Sequence, residues 1–151
     1  MESDADGLRE QLREIERGET AAWVVYPPTP VWWPIGFGLW SGAFALVVGL
    51  LDGVPRSLGE LGLVLLALAA MAWDRRRRGT HPSGRPPREL RPAIARLVVG
   101  AGGVASLCWL IGEQVGTWPA AVVATVASGA LVARYEHEYA AVAAAVRERL
   151  A

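Results

Sequence analysis

The chain has 151 residues, 52% of them hydrophobic, and its formal net charge at pH 7 is zero. That length holds one compact unit or a small set of membrane helices, and a zero net charge offers no pull toward nucleic acid. The single cysteine, Cys108, excludes an intramolecular disulfide, a CxxC redox pair and any multi-cysteine zinc site.

Residues 1–20 are acidic and polar and lack an apolar core, which is not the pattern of a secretory signal peptide. Ser3 or Asp6 caps a short helix running to about Arg17, with Leu8, Leu12 and Ile15 on one face. Next comes the stretch WVVYPPTPVWWP, Trp23 to Pro34. Pro27 and Pro30 form a Pro-x-x-Pro, the pattern of an exposed ligand for a partner domain. Trp32, Trp33 and Pro34 instead abut an apolar run, and Pro34 falls in the first turn of a helix, where its missing N–H costs little. The prolines before it favour extended chain and separate the polar helix from the apolar run. The stretch therefore reads as a lead-in to a membrane, with indoles at headgroup level.

Residues 31–51 carry no charge, and twenty-one residues at ~1.5 Å each match a hydrocarbon core of ~30 Å. Asp52, Gly53, Pro55 and Arg56 break the run. A second run, 58–73, carries only Glu60 and ends at Asp74 and Arg75, Arg76, Arg77 and Arg78. The loop 79–92 holds four prolines and three further arginines, so it is irregular and solvated. Runs three and four, 97–112 and 114–133, are separated by Glu113. Four such runs punctuated by charge predict four membrane spans. Beyond Ala133 no breaker appears, and Tyr135, Tyr139, Val142 and Val146 recur along an alanine-rich stretch. The spacing predicts that the fourth helix continues out of the membrane through 134–151 with an apolar stripe needing cover. The N-terminal helix or the same helix of a second copy would supply it.

Every basic side chain is an arginine, a bias expected of a GC-rich bacterial genome. With four spans, the N-terminal segment, the middle loop and the C-terminal tail share one side, which holds fourteen of the fifteen arginines. Arginine in short segments stays cytoplasmic, so both termini are expected there. Trp32, Trp33 and Trp73 then mark the inner interface and Trp118 the outer one, where an apolar ring with one N–H donor prefers to sit.

Small residues recur at whole-turn spacing: Gly38 and Gly42 in the first span with Gly49 two turns further, Gly102 and Ser106 in the third, Ala120, Ala124 and Ser128 in the fourth. Such faces let helix backbones approach closely, within one chain or between chains. Arg75 to Arg78 stop transfer of the second span and also attract anionic headgroups. Glu60 and Glu113 are carboxylates at the outer boundary; deep in a membrane they would mark a proton or cation path, but water reaches them at this depth. Glu136, His137 and Glu138 are adjacent, so on a helix they point about 100° apart and do not converge on one metal ion. His81 lies in the loop, and Cys108 reads as a small apolar packing residue. No nucleophile elbow, phosphate loop or HExxH is present, so no catalytic residue, cofactor-binding residue or metal ligand is assigned.

The lead-in PPTPVWWP and the span ending WDRRRRGT resemble small four-span membrane proteins of actinobacteria. In those, too, a short polar N-terminal helix precedes the spans and a polar tail comes after them; the resemblance implies no activity. The small multidrug transporters, also four-span, carry a carboxylate in the middle of the first span, and residues 31–51 have none.

The expected fold is all-α: an integral-membrane four-helix bundle with a short cytoplasmic N-terminal helix and a helical cytoplasmic extension. Its regions are 1–30, 31–133 and 134–151. The expected role is non-enzymatic, a small assembly, scaffold or regulatory module of the bacterial cytoplasmic membrane. Its partners would be the bilayer with its anionic inner headgroups and a second copy or another membrane protein, with no cofactor and no nucleic acid. The alternative is a small channel or transporter using Glu60 or Glu113 at the outer mouth.

Overall fold

The computed structural model describes residue 23, residues 29–78 and residues 86–150, with backbone alone for 78, 149 and 150. The N-terminal helix expected before Arg17 and the loop around His81 lie outside the described residues. Four helices account for nearly all of the rest: α1 Trp32–Leu50, α2 Gly53–Arg78, α3 Arg91–Gln114 and α4 Thr117–Leu150. All four are long and apolar enough to cross a membrane, and no strand occurs among the described residues.

Helix ends and the ends of apolar runs do not coincide. Helix α2 starts at Gly53 and runs through Asp74 and the arginines, five residues past Trp73. Arginine is a good helix former, so the charge block ends the apolar run without ending the helix. Helix α3 starts at Arg91 and takes Pro92 within its first turn, where no N–H is needed. The break expected at Glu113 lies instead at Val115 and Gly116. Both carry N–H groups that donate to the Ile111 carbonyl, and Gly116 adopts φ +117°, closed to L side chains. At the other short turn Gly53 takes φ +60°. Helix α4 runs unbroken for 34 residues, well beyond Ala133.

Two-residue turns force α1 against α2 and α3 against α4 as antiparallel pairs. The tightest packing is nonetheless between α1 and α4, so the helices follow one another in space as α2, α1, α4, α3. They form an open row more than a closed bundle, with α2 resting chiefly on α1.

The α1–α4 seam explains why. A Cβ on Gly38 would lie 2.5 Å from the carbonyl oxygen of Thr125, and one on Gly129 3.2 Å from that of Pro34. Gly42 faces Thr125 and Ala121 in the same way, and Gly49 faces Thr117, whose hydroxyl donates to the Gly49 carbonyl at 3.1 Å. Only glycine lets the two backbones meet along this line. Thr125 turns its hydroxyl to the Ala121 carbonyl at 2.9 Å, so no donor is stranded in the seam.

Small residues fill the interior and large ones face outward. The buried residues include Ala120, Ala121, Ala124 and Ser128 of α4, whereas Leu58, Leu65, Leu66 and Leu68 of α2 and Val98, Val99 and Trp109 of α3 are exposed. In water so much exposed apolar surface is a liability. In hydrocarbon it costs nothing, and close packing of small residues becomes the main glue. This distribution fits a multi-pass membrane protein.

Candidate functional site

Register places the helix termini at two ends. One end joins the start of α1, the end of α2, the start of α3 and the part of α4 near Arg134, as the Trp32–Trp73 and Arg96–Glu138 contacts require. The other end carries the two short turns, Arg56, Glu60, Glu113 and Trp118.

The first end is aromatic and charged. Trp32 lies edge-on to Trp33 at 5.6 Å between ring centroids and 6.1 Å from Trp73, and the Arg77 guanidinium sits 5.4 Å over the Trp73 ring. A cation against an indole face at a boundary between water and hydrocarbon is held on both sides of that boundary. Arg75 and Arg76 are exposed beyond it. Trp118 is 65% exposed at the opposite end. In variants retaining only Trp32 and Trp33, fluorescence is expected to be quenched by headgroup-level lipid probes and spared by aqueous iodide. Strong iodide quenching would place the lead-in in water as a free peptide.

Next to this cluster, Glu138 of α4 receives two guanidinium groups. Arg134 Nε donates to Oε1 at 3.0 Å from one turn earlier, and Arg96 Nη1 of α3 approaches Oε2 at 3.0 Å. The Arg134 hydrogen bond, followed by the Arg96 and Arg134 charges, holds the Glu138 carboxyl below the usual carboxylate range despite some desolvation. The pairs are partly exposed, so each contributes little stability; their value is in aligning α3 with α4. The Tyr139 hydroxyl, one residue on, donates to the Trp23 carbonyl, tying the chain before α1 to the α4 extension. Ala143 and Val146 further along are buried.

Glu136 and Glu138 fall on different sides of α4. Glu136 borders a groove of about 590 Å³ between α1 and α4, lined by Pro30, Ile35, Leu39, Val126 and Ala133. Glu138 borders a second, of about 410 Å³, between α3 and α4. Their divergence agrees with helical spacing, and no group of three metal-ligating side chains gathers among the described residues.

Placement of the other candidates is mixed. Gly38, Gly42 and Gly49 meet α4; Ala120, Ala124 and Ser128 are buried in α4, with Ala120 next to Gly112 of α3. Gly102 has open space around it and Ser106 is exposed, so that pair faces away from the other described helices. Among the α3 glycines it is Gly100 that meets α4 most closely, where a Cβ would lie 2.6 Å from Leu131 Cδ1. Glu60 is paired with Arg56 at 2.9 Å, Glu113 is exposed, and neither lines either groove. Cys108 is half-buried in α3.

Sequence reasoning missed Arg96, Thr125, Gly129 and Trp23 as contact residues. For Gly129 a signal existed, since it completes a Thr125-x-x-x-Gly129 pair one position off the Ala124–Ser128 face. Arg96, counted only as loop charge, had no local signal pairing it with Glu138, forty-two residues away.

No protein-family model, no curated protein and no solved structure matches the chain.

Proposed function

We propose that this is a non-enzymatic assembly, scaffold or regulatory module of a bacterial cytoplasmic membrane, with both termini in the cytoplasm. One observation carries the reading: α4 continues as helix for seventeen residues past Ala133 at the arginine-rich end, from Arg134 to Leu150. Its apolar stripe is covered, with Ala143 and Val146 buried, and its opposite flank, with Arg147 and Glu148 exposed, is open to another chain. Arg96 and Trp23 hold the extension in line with the bundle, and the exposed flanks of α2 and α3 leave lateral surface for a partner within the bilayer. The arginine asymmetry supports the orientation. Pairing of Glu60 with Arg56 and its distance from both grooves favour this reading over a carboxylate-gated channel.

Removing residues 135–151 is expected to lower the oligomeric mass in detergent or to abolish capture of membrane partners by crosslinking in cells. Unchanged mass together with an unchanged crosslinking pattern would defeat the proposal. Ion flux in liposomes abolished by Glu60→Gln or Glu113→Gln would establish the channel reading instead.

A further inference from the structure

The two grooves bordering α4 differ at their polar rims. The α1–α4 groove ends at Glu136, a carboxylate with no cation beside it among the described lining residues. The α3–α4 groove ends at Arg96 and Arg134, with Glu138 between them. Two guanidinium charges against one carboxylate leave the rim with a net charge of +1. Among the described residues, most of its donors are also unused. Arg96 spends Nε on the Pro92 carbonyl and Nη1 on Glu138, and Arg134 spends Nε on Glu138, while each guanidinium has five N–H groups. Arg96 and Arg134 side chains are 59% and 71% exposed. The floor below this rim is apolar, formed by Leu97, Gly100 and Leu131, with the Leu131 side chain packed directly against Gly100. A forked cationic rim above an apolar trough, at the depth where the helices leave hydrocarbon, has the chemistry of one lipid: a phosphate outside and an acyl chain inside.

We propose that the α3–α4 groove binds one anionic phospholipid, its phosphate held by Arg96 and Arg134 and one acyl chain laid along Leu97, Gly100 and Leu131. The site is separate from the Arg75–Arg78 run. Arg75, Arg76 and Arg77 follow the end of a single helix's apolar run, with Arg77 already on Trp73, and line neither groove. Such a run attracts anionic surface diffusely, at about 1 kcal/mol per residue, and is screened by salt. The groove offers a phosphate two guanidinium groups from two helices, and its positive rim disfavours a headgroup that carries a cation of its own. Glu136 makes the α1–α4 groove a built-in contrast, since a phosphate there would meet a like charge. Lipid binding here requires only that the helices span a bilayer, and it is independent of the assembly role.

The test is native mass spectrometry of the delipidated full chain in detergent, titrated with phosphatidylglycerol or phosphatidylcholine. Wild type is expected to retain one phosphatidylglycerol, with about a tenfold preference over phosphatidylcholine, whose choline cation would meet the two guanidinium groups at the same rim. Arg96→Gln with Arg134→Gln should remove the preference, and Arg75→Gln with Arg76→Gln and Arg77→Gln should leave it. Ala95→Trp, at an exposed position lining the groove, keeps both guanidinium groups and should block retention by filling the trough. It decides the matter if the double variant fails to fold. Equal retention of the two lipids, a preference that survives both groove variants, or displacement by an equal concentration of glycerol phosphate would overturn the proposal.

Discussion

Gly38→Ala is expected to be among the most damaging single-methyl changes in this protein, and Gly38→Leu to separate α1 from α4. Two effects of opposite sign compete. Alanine in place of glycine in a helix gains up to ~1 kcal/mol from backbone entropy. At Gly38, however, the new Cβ would lie 2.5 Å from the Thr125 carbonyl oxygen and 3.3 Å from the Gly129 Cα, both backbone atoms. Neither can rotate away, so the helices must part along the whole seam. Overpacking of this kind costs ~1–3 kcal/mol, and here the upper end applies because the seam holds the tightest packing in the fold. Sterics win. At Gly42 the nearest atom is the Thr125 hydroxyl, which can turn only by giving up its bond to the Ala121 carbonyl. That carbonyl oxygen itself would lie 3.1 Å from the new Cβ, so Gly42→Ala should also be costly. Gly62 and Gly102 have nothing within 4 Å, so alanine there should be neutral or slightly stabilising. Helicity followed through an SDS titration in mixed micelles reads all four. An identical midpoint for Gly38→Ala and Gly102→Ala would mean that the seam is not where α1 is held.

The second large effect is expected at Trp40, which fastens α2. Its indole Nε1 donates to the Leu63 carbonyl at 2.9 Å, joining two helices inside the apolar zone. Besides this bond, α2 has the Val47–Gly59 approach and the Trp32–Trp73 contact, all on α1. Among the described residues α2 rests chiefly on α1, so these contacts carry most of the load. Truncating a core tryptophan to alanine costs ~3–5 kcal/mol in a water-soluble protein. Trp40 is only half-buried and lipid can fill the space left behind, so about half that figure is expected for Trp40→Ala. Trp40→Phe keeps a smaller aromatic ring and loses one interhelical hydrogen bond, about 0.6–2 kcal/mol in a membrane. Disulfide trapping measures the detachment directly. A Cβ on Gly59 would sit 3.7 Å from the Val47 Cβ, within the range a disulfide needs. Val47→Cys with Gly59→Cys, in a Cys108→Ala background, should crosslink readily with Trp40 present and several-fold more slowly in Trp40→Ala. Equal rates would show that the indole does not hold α2 in place.

Both effects turn on contacts that lie beyond the reach of the chain's pattern. Gly38 and Gly42 share their four-residue spacing with Gly102 and Ser106, yet the first pair meets α4 and the second faces outward. Spacing defines a face and says nothing about what stands opposite. In water, burial would select the partner face by its hydrophobicity; in hydrocarbon every face of these helices is apolar, so only shape complementarity selects. The same holds at the charged end. Arg96, Arg134 and Glu138 are evident as charges in the chain, but their meeting depends on the depth at which α3 and α4 cross.

What the residues determined without help was the all-helical class and the four helices long and apolar enough to cross a membrane. These rest on a solvent boundary, because hydrocarbon thickness sets the length of an apolar run and the cost of charge sets where it stops. The same order of residues predicted that α4 would outrun its apolar stretch, since no breaker comes after Ala133. Helix ends were less legible at α2 and α3, where arginine and proline extend a helix beyond the membrane that the apolar count measures. Tertiary structure alone decided that the helices stand as α2, α1, α4, α3, that α2 hangs on α1, and that two grooves with opposite rim charge flank α4. The reason is steric. Where a Cβ is missing opposite a backbone carbonyl, two helices can touch, and that coincidence exists only once both are in place.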